Sequence, residues 1–178
     1  MTRRKGQGSH YELMFEDLLR SRKIPYLAVD ESRRPVTVDG KIKNFDFIVN
    51  SSKGGYLVDI KGKLFPQESR DKKSRLYWEN WVSYSDLKGL VKWKEMFGRD
   101  FLAILIFAYK ILYDENIFQF WDIYNYQGFT YGLIGCLLED YCRMARIRSV
   151  KWGAYSVKKQ KFKRIMKPLR IFLPEIIN

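Results

Sequence analysis

Histidine and cysteine are nearly absent from this sequence: His10 stands alone, and Cys136 and Cys142 are the two cysteines. With one imidazole and no CxxC pair there are too few ligands for a structural zinc site, so a catalytic metal would have to sit on oxygen. Cys136 and Cys142 fall in CLLEDYCRMARI, which reads as a late helix. That spacing sets them on different faces, argues against a mutual disulfide, and reads as buried thiols of a reducing compartment. Long apolar runs are also missing. Nothing approaches the ~20 residues that cross a bilayer, and MTRRKGQGSHYE is basic without a secretory signal's apolar core. The expectation is a cytoplasmic protein with no membrane partner. Repeats and low-complexity tracts are absent too, so residues 1–178 are expected to form a single domain.

Charge of one sign is abundant. Thirty-three Lys and Arg oppose twenty Asp and Glu, for a formal charge of +13. Such an excess draws polyanions through its long-range field and through counterion release, which makes nucleic acid the first partner to consider.

The apolar spacing predicts the elements. In SHYELMFEDLLRSR, residues Tyr11, Met14, Phe15, Leu18 and Leu19 recur at helical spacing, with Ser9 as N-cap and Glu12 at the third helical position of a capping box. IPYLAVD reads as a strand. Phe45 to Val49 and Tyr56 to Ile60 read as two strands joined by NSSKGG into a hairpin. Ser85 to Phe97 reads as a helix stopped by Gly98, and FLAILIFAYKIL as a buried strand. FQFWDIYNYQGFTYGLIGC holds a further strand and a turn, and the tail VKKQKFKRIMKPLRIFL is strongly basic. The order implies an α/β or α+β fold, a mixed sheet flanked by helices.

The chemistry concentrates in FDFIVNSSKGGYLVDIKGK. Asp46 lies near the start of one strand, while Asp59 and Lys61 close the next, two residues apart and on one face. Adjacent carboxylates repel unless a cation bridges them, and Mg²⁺ or Mn²⁺ favours oxygen ligands completed by water and phosphate. A lysine beside them can orient or help deprotonate the attacking water and stabilise charge developing on a phosphate. An ionised Asp59 on a strand as apolar as YLVDI is costly unless paired or metal-bound.

Asp46, a gap of a dozen residues, then Asp59-Ile60-Lys61 resembles the PD-(D/E)xK signature of restriction-endonuclease-like nucleases, with Phe45 where the signature has proline. Upstream, RRKGQGSHYELMFEDLLRSRKIPYL is similar to the opening of archaeal Holliday-junction resolvases. The resemblance covers roughly the first third of the chain, up to Lys63, with a core motif region at 9–63, and implies a restriction-endonuclease-like core, metal-dependent endonuclease activity on DNA, and a homodimer. It matches Glu12 to a helix-borne acid that joins Asp46 and Asp59 at the metal, with Glu16, one turn along, as the competitor.

Beyond Lys63 lies a basic, aromatic part. Arg70, Lys72, Lys73 and Arg75 alternate with Tyr77, Trp78, Trp81 and Tyr84, a mixture suited to stacking bases and holding phosphates. In the tail, Lys161, Lys163 and Arg164 are candidate phosphate contacts. Gln67 and Glu68 read as loop residues, and His10 as a surface residue at a helix start. Two other readings stand beside the nuclease: an inactive nuclease-fold module that only binds nucleic acid, and a subunit of a restriction or mobile-element complex.

Overall fold

The computed structural model describes residues 9–30, 33, 35–37, 40–66 and 78–177. The chain runs α1 (His10–Ser21), β1 (Tyr26–Ala28), β2 (Val36–Thr37), β3 (Gly40–Lys41), β4 (Phe47–Ser51), β5 (Gly54–Phe65) and β6 (Val82–Ser83). It continues with α2 (Tyr84–Phe97), β7 (Phe101–Ile111), β8 (Asp122–Tyr126), β9 (Phe129–Leu137), α3 (Leu138–Met144), β10 (Arg146–Ser149), β11 (Ala154–Ser156), α4 (Lys159–Ile165) and β12 (Lys167–Pro168).

Seven strands form the main sheet, in the order β1-β4-β5-β7-β9-β12 with β8 also on β9. β5 and β7 pair in parallel across eleven residues, from Gly55↔Phe101 to Phe65↔Ile111, and the other pairings are antiparallel. This is a mixed sheet flanked by helices, the fold class expected. The parallel pair requires a crossover, and α2 lies within it. β7 is central, covered on both faces, and therefore reads as an uninterrupted apolar run from Ala103 to Tyr109.

Two cores sit on the two faces. On one, Met14, Phe15, Leu18 and Leu19 of α1 pack on Val58, Ile60, Ile104 and Ile106. On the other, Leu87 and Leu90 of α2, Tyr141 of α3 and Phe162 of α4 pack on Leu57, Leu105 and Phe107. Gly62 is part of this geometry: a Cβ there would lie 2.0 Å from the Tyr11 ring, so α1 can close on β5 only over a residue with no side chain.

α1 begins as its capping box predicts, with Ser9 Oγ accepting from Glu12 N at 3.3 Å. The β4–β5 hairpin closes in a two-residue turn, Ser51 pairing with Gly54, whose φ of 134° suits glycine. β5 runs to Phe65, well past Ile60, because its far half gains a full ladder on β7.

Three expectations are corrected. The stretch containing YNYQGFTY is a hairpin of two strands, β8 and β9, turning at Gln127 and Gly128, which have φ of 49° and 77°. Cys136 and Cys142 do not share a helix: Cys136 is buried in β9 and Cys142 is exposed on α3, so the two are not both buried thiols. His10 is not a plain surface residue. It is half-buried, hydrogen-bonded through Nε2 to the Tyr131 hydroxyl and packed among Tyr11, Tyr126 and Phe129. Among the described residues no helix is long and apolar enough to cross a membrane.

Candidate active site

Asp59 and Lys61 alternate with the residues that face α1, so both side chains lie on the α2 side of β5. There the Lys61 ammonium lies 2.7 Å from Asp59 Oδ2 and 2.9 Å from Asp86 Oδ2. Lys43 completes the chain of charges by bonding the other oxygen of Asp86. Two cations and two carboxylates therefore form one strip, with Asp59 and Asp86 both buried.

Asp46 reaches this strip from the neighbouring strand. The chain bends just before β4, so that Phe45 enters the α2-side core and Phe47 the α1-side core. Asp46, between them, is left at the strand edge, one residue beyond the Phe47↔Val58 pair. Its Oδ2 accepts from Ile60 N at 2.5 Å, the backbone donor of the residue following Asp59. The carboxylate thus takes the place that a carbonyl of β4 would fill had that strand continued, and it is held beside Asp59.

Asp86 has no counterpart among the residues singled out from sequence. It stands in the first turn of α2, where Ser83 is the N-cap and its Oγ accepts from Asp86 N at 3.1 Å. The helix dipole favours an anion there. The signal was present as Ser83-x-x-Asp86, a capping-box spacing that also places the helix start near Tyr84. Nothing in the sequence says that this turn lies against Lys61.

The charges set one another. Burial opposes ionisation of Asp86, but Lys61 and Lys43 outweigh it and hold its pKa down at about 2. Burial likewise disfavours the Lys61 ammonium, yet Asp59 and Asp86 outweigh that and raise its pKa above the ordinary lysine value. Asp59 moves the other way: burial, helped by Asp86, raises its pKa despite Lys61. Its Oδ2 is fully buried with no hydrogen-bond donor aligned on it, although the ammonium is close. A second lysine, Lys63, follows on the same face. Burial lowers its pKa to about 8, and its ammonium sits 3.7 Å from the centre of the Trp81 ring.

Asp46 and Asp59 are the pair that could hold a hard divalent ion, which would share Asp59 with the Lys61 ammonium that lies 2.7 Å from its Oδ2. Two carboxylates suffice for Mg²⁺ when water and phosphate oxygens complete its shell. Among the described residues no group of three His, Cys, Asp or Glu stands close enough to hold a metal. Glu12 is half-buried in the first turn of α1, the helix on the opposite face of the sheet, and is not gathered with the two aspartates. Glu16 is engaged elsewhere, accepting from the Tyr26 hydroxyl at 2.8 Å and from Arg20 at 2.9 Å.

The candidate nucleic-acid contacts divide. Arg70, Lys72, Lys73 and Arg75 lie outside the described residues, as do Gln67, Glu68 and Tyr77. Lys161, Lys163 and Arg164 are exposed on α4, which buries Phe162 and Ile165 on the same side of the sheet as Asp59. Trp78 is a core residue, while Trp81 and Tyr84 are exposed.

No family model and no curated protein sequence matches the chain. Among solved structures, a Holliday junction resolvase from the archaeal hyperthermophile Archaeoglobus fulgidus is similar with a TM-score of 0.49 and 10% sequence identity. The likeness covers 89% of this chain and 93% of that one.

Proposed function

We propose that this chain is a metal-dependent endonuclease that hydrolyses phosphodiester bonds of DNA. The observation that carries the reading is the buried Asp59–Lys61 pair, 2.7 Å apart on β5, with the Asp46 carboxylate of the neighbouring strand accepting from the backbone N of Ile60 between them. Asp46 and Asp59 would hold Mg²⁺ or Mn²⁺. When bound, the ion acts as a Lewis acid on the phosphate and lowers the pKa of its water. Lys61, kept cationic by two carboxylates, is suited to stabilise negative charge on the phosphate rather than to take a proton. Asp86 would position Lys61, accepting from its ammonium at 2.9 Å. The excess of 33 basic over 20 acidic residues supplies the attraction for a polyanion.

The test is cleavage of linear duplex, single strand, four-way junction and RNA with Mg²⁺, Mn²⁺ or EDTA, comparing wild type with Asp59→Asn. Metal-dependent cutting that falls at least about a hundredfold in the variant is the expected result. The ion should also raise the melting temperature of wild type and not of Asp59→Asn. Cutting that survives the substitution sinks the site assignment. Binding without cutting of any substrate would instead make the chain a nucleic-acid-binding module on the same fold.

A further inference from the structure

The site leaves a second feature of the molecule unexplained. β10 and β11 form a hairpin outside the main sheet, and its tip carries two of the most exposed apolar side chains in the protein, Val150 at 85% and Trp152 at 76%. The tip is tightly built. Gly153 N donates to Val150 O at 3.1 Å, and Trp152 N donates to Ser149 Oγ at 3.3 Å. Gly153 has a φ of 54°, so Lys151 and Trp152 occupy the corner of a defined turn. Val150 and Trp152 project together from one defined turn, with Ile147 of the same hairpin also exposed, and apolar side chains clustered on a projecting element mark an interaction surface.

The charge on the hairpin says what kind of surface would do so. From Arg146 to Ser156 the sequence RIRSVKWGAYS contains Arg146, Arg148 and Lys151 and no acidic residue. Apolar side chains among cations, on a projecting two-stranded ribbon, match a polyanion whose interior is apolar and stacked.

The root of the hairpin is fastened to the candidate active site. β11 pairs with β6 through Ala154↔Ser83 and Tyr155↔Val82. Gly153 O accepts from Tyr84 N at 2.7 Å, and Ser83 caps the helix that presents Asp86. A bulge between Ile147 and Ser149 aims Arg148 at Glu79, whose Oε1 it meets at 3.2 Å. Trp81, exposed and carrying Lys63 against its ring, lies in the chain between Glu79 and β6. Ribbon and catalytic strip therefore share one hydrogen-bonded framework.

We infer that the β10–β11 hairpin is a wedge for nucleic acid, whose tip stacks Trp152 and packs Val150 against unpaired or unstacked bases beside the Asp46–Asp59–Lys61 site. Arg146 and Lys151 hold the backbone on either side of the opened bases. The preferred ligand is then DNA with a bubble, a branch or a single-stranded stretch, rather than uniform duplex. The wedge rests on the functional reading above only in taking nucleic acid as the ligand.

Binding is measured in EDTA, where no metal-dependent cutting occurs, by fluorescence anisotropy of labelled duplex, the same duplex with a central bubble, and single strand. The double variant Val150→Ala, Trp152→Ala should bind bubble and single strand at least about tenfold more weakly, with duplex little changed. Lys151→Ala should weaken all three alike and flatten the dependence on salt. Unchanged thermal melts would show that the exposed tip can be altered without unfolding the chain. Equal binding of the bubble by wild type and the double variant overturns the wedge, as does a loss shared equally by all three ligands. Dissociation of a wild-type dimer by the tip substitutions also overturns it, because the tip is then a protein interface. Tip-dependent binding without cleavage would retain the wedge and refute the nuclease; cleavage indifferent to the tip would do the reverse.

Discussion

Asp86→Asn is the most informative single substitution, because it removes the charge that ties α2 to β5 and leaves shape almost unchanged. The carboxyl lies 9% exposed and its pKa is drawn from 3.8 to about 2 by Lys61 and Lys43 against the pull of burial. At 1.36 kcal/mol per unit, that shift contributes about 2 to 3 kcal/mol of stability at neutral pH. Losing the anion at the N-terminus of α2 costs a few tenths of a kcal/mol more. For a chain of this size the fall in melting temperature should be about 5 to 10 °C. The sign follows from the direction of the shift. A carboxyl whose folded pKa is lowered stabilises fully above its unfolded value, and that contribution is lost as pH falls through the folded value. Urea unfolding of wild type and Asp86→Asn should therefore differ by a constant amount from about pH 5.5 to 8, with the gap narrowing below about pH 4.5. A gap under about 0.5 kcal/mol at pH 7, or one that does not narrow in acid, would refute the reasoning: Asp86 would then be no more than an ordinary surface partner.

Two further substitutions probe other links. Gly62→Ala places a methyl 2.0 Å from the Tyr11 ring, so α1 must shift off β5; a loss of about 1 to 3 kcal/mol in urea unfolding is expected, and a neutral result would mean that α1 packs elsewhere. Lys63, with its pKa lowered to about 8, should change the fluorescence of Trp81 as it loses its proton. Stability should rise with pH from about 8 to 10.5, since the charged form is the one disfavoured by folding. Both effects should vanish in Lys63→Met, and a wild-type titration identical to that of the variant would place the ammonium away from the ring.

The elements that sequence makes legible are those whose pattern is local. α1 follows from Ser9 and the spacing of Met14, Phe15, Leu18 and Leu19, and β7 from an apolar run with no polar interruption before Lys110. The β8–β9 hairpin is not legible as two strands from local pattern. Its turn is Gln127-Gly128, and aromatic residues on both sides blur the alternation that marks a strand. The helix expected across Cys136 starts only at Leu138, because Gly135 and Cys136 are still paired with β7. Ladder hydrogen bonds to a distant strand outweighed a local helical pattern there.

By itself, the sequence determined the pairing of Asp59 with Lys61. Residues two apart in a strand share a face, so their proximity needs no partner element. It also determined the hairpin that brings Asp46 close, since a two-residue turn sets the register of both strands. Only the tertiary structure decided what surrounds them. Asp86 lies 25 residues from Lys61 in sequence and meets it at 2.9 Å through the β5–α2–β7 crossover. The site of Glu12 was decided in the same way, by which face of the sheet α1 covers, and so was the fastening of the β10–β11 ribbon to the cap of α2. Local periodicity is a property of neighbouring residues along a chain. The charge that finally surrounds a buried lysine depends on which distant segments the closing core brings against it.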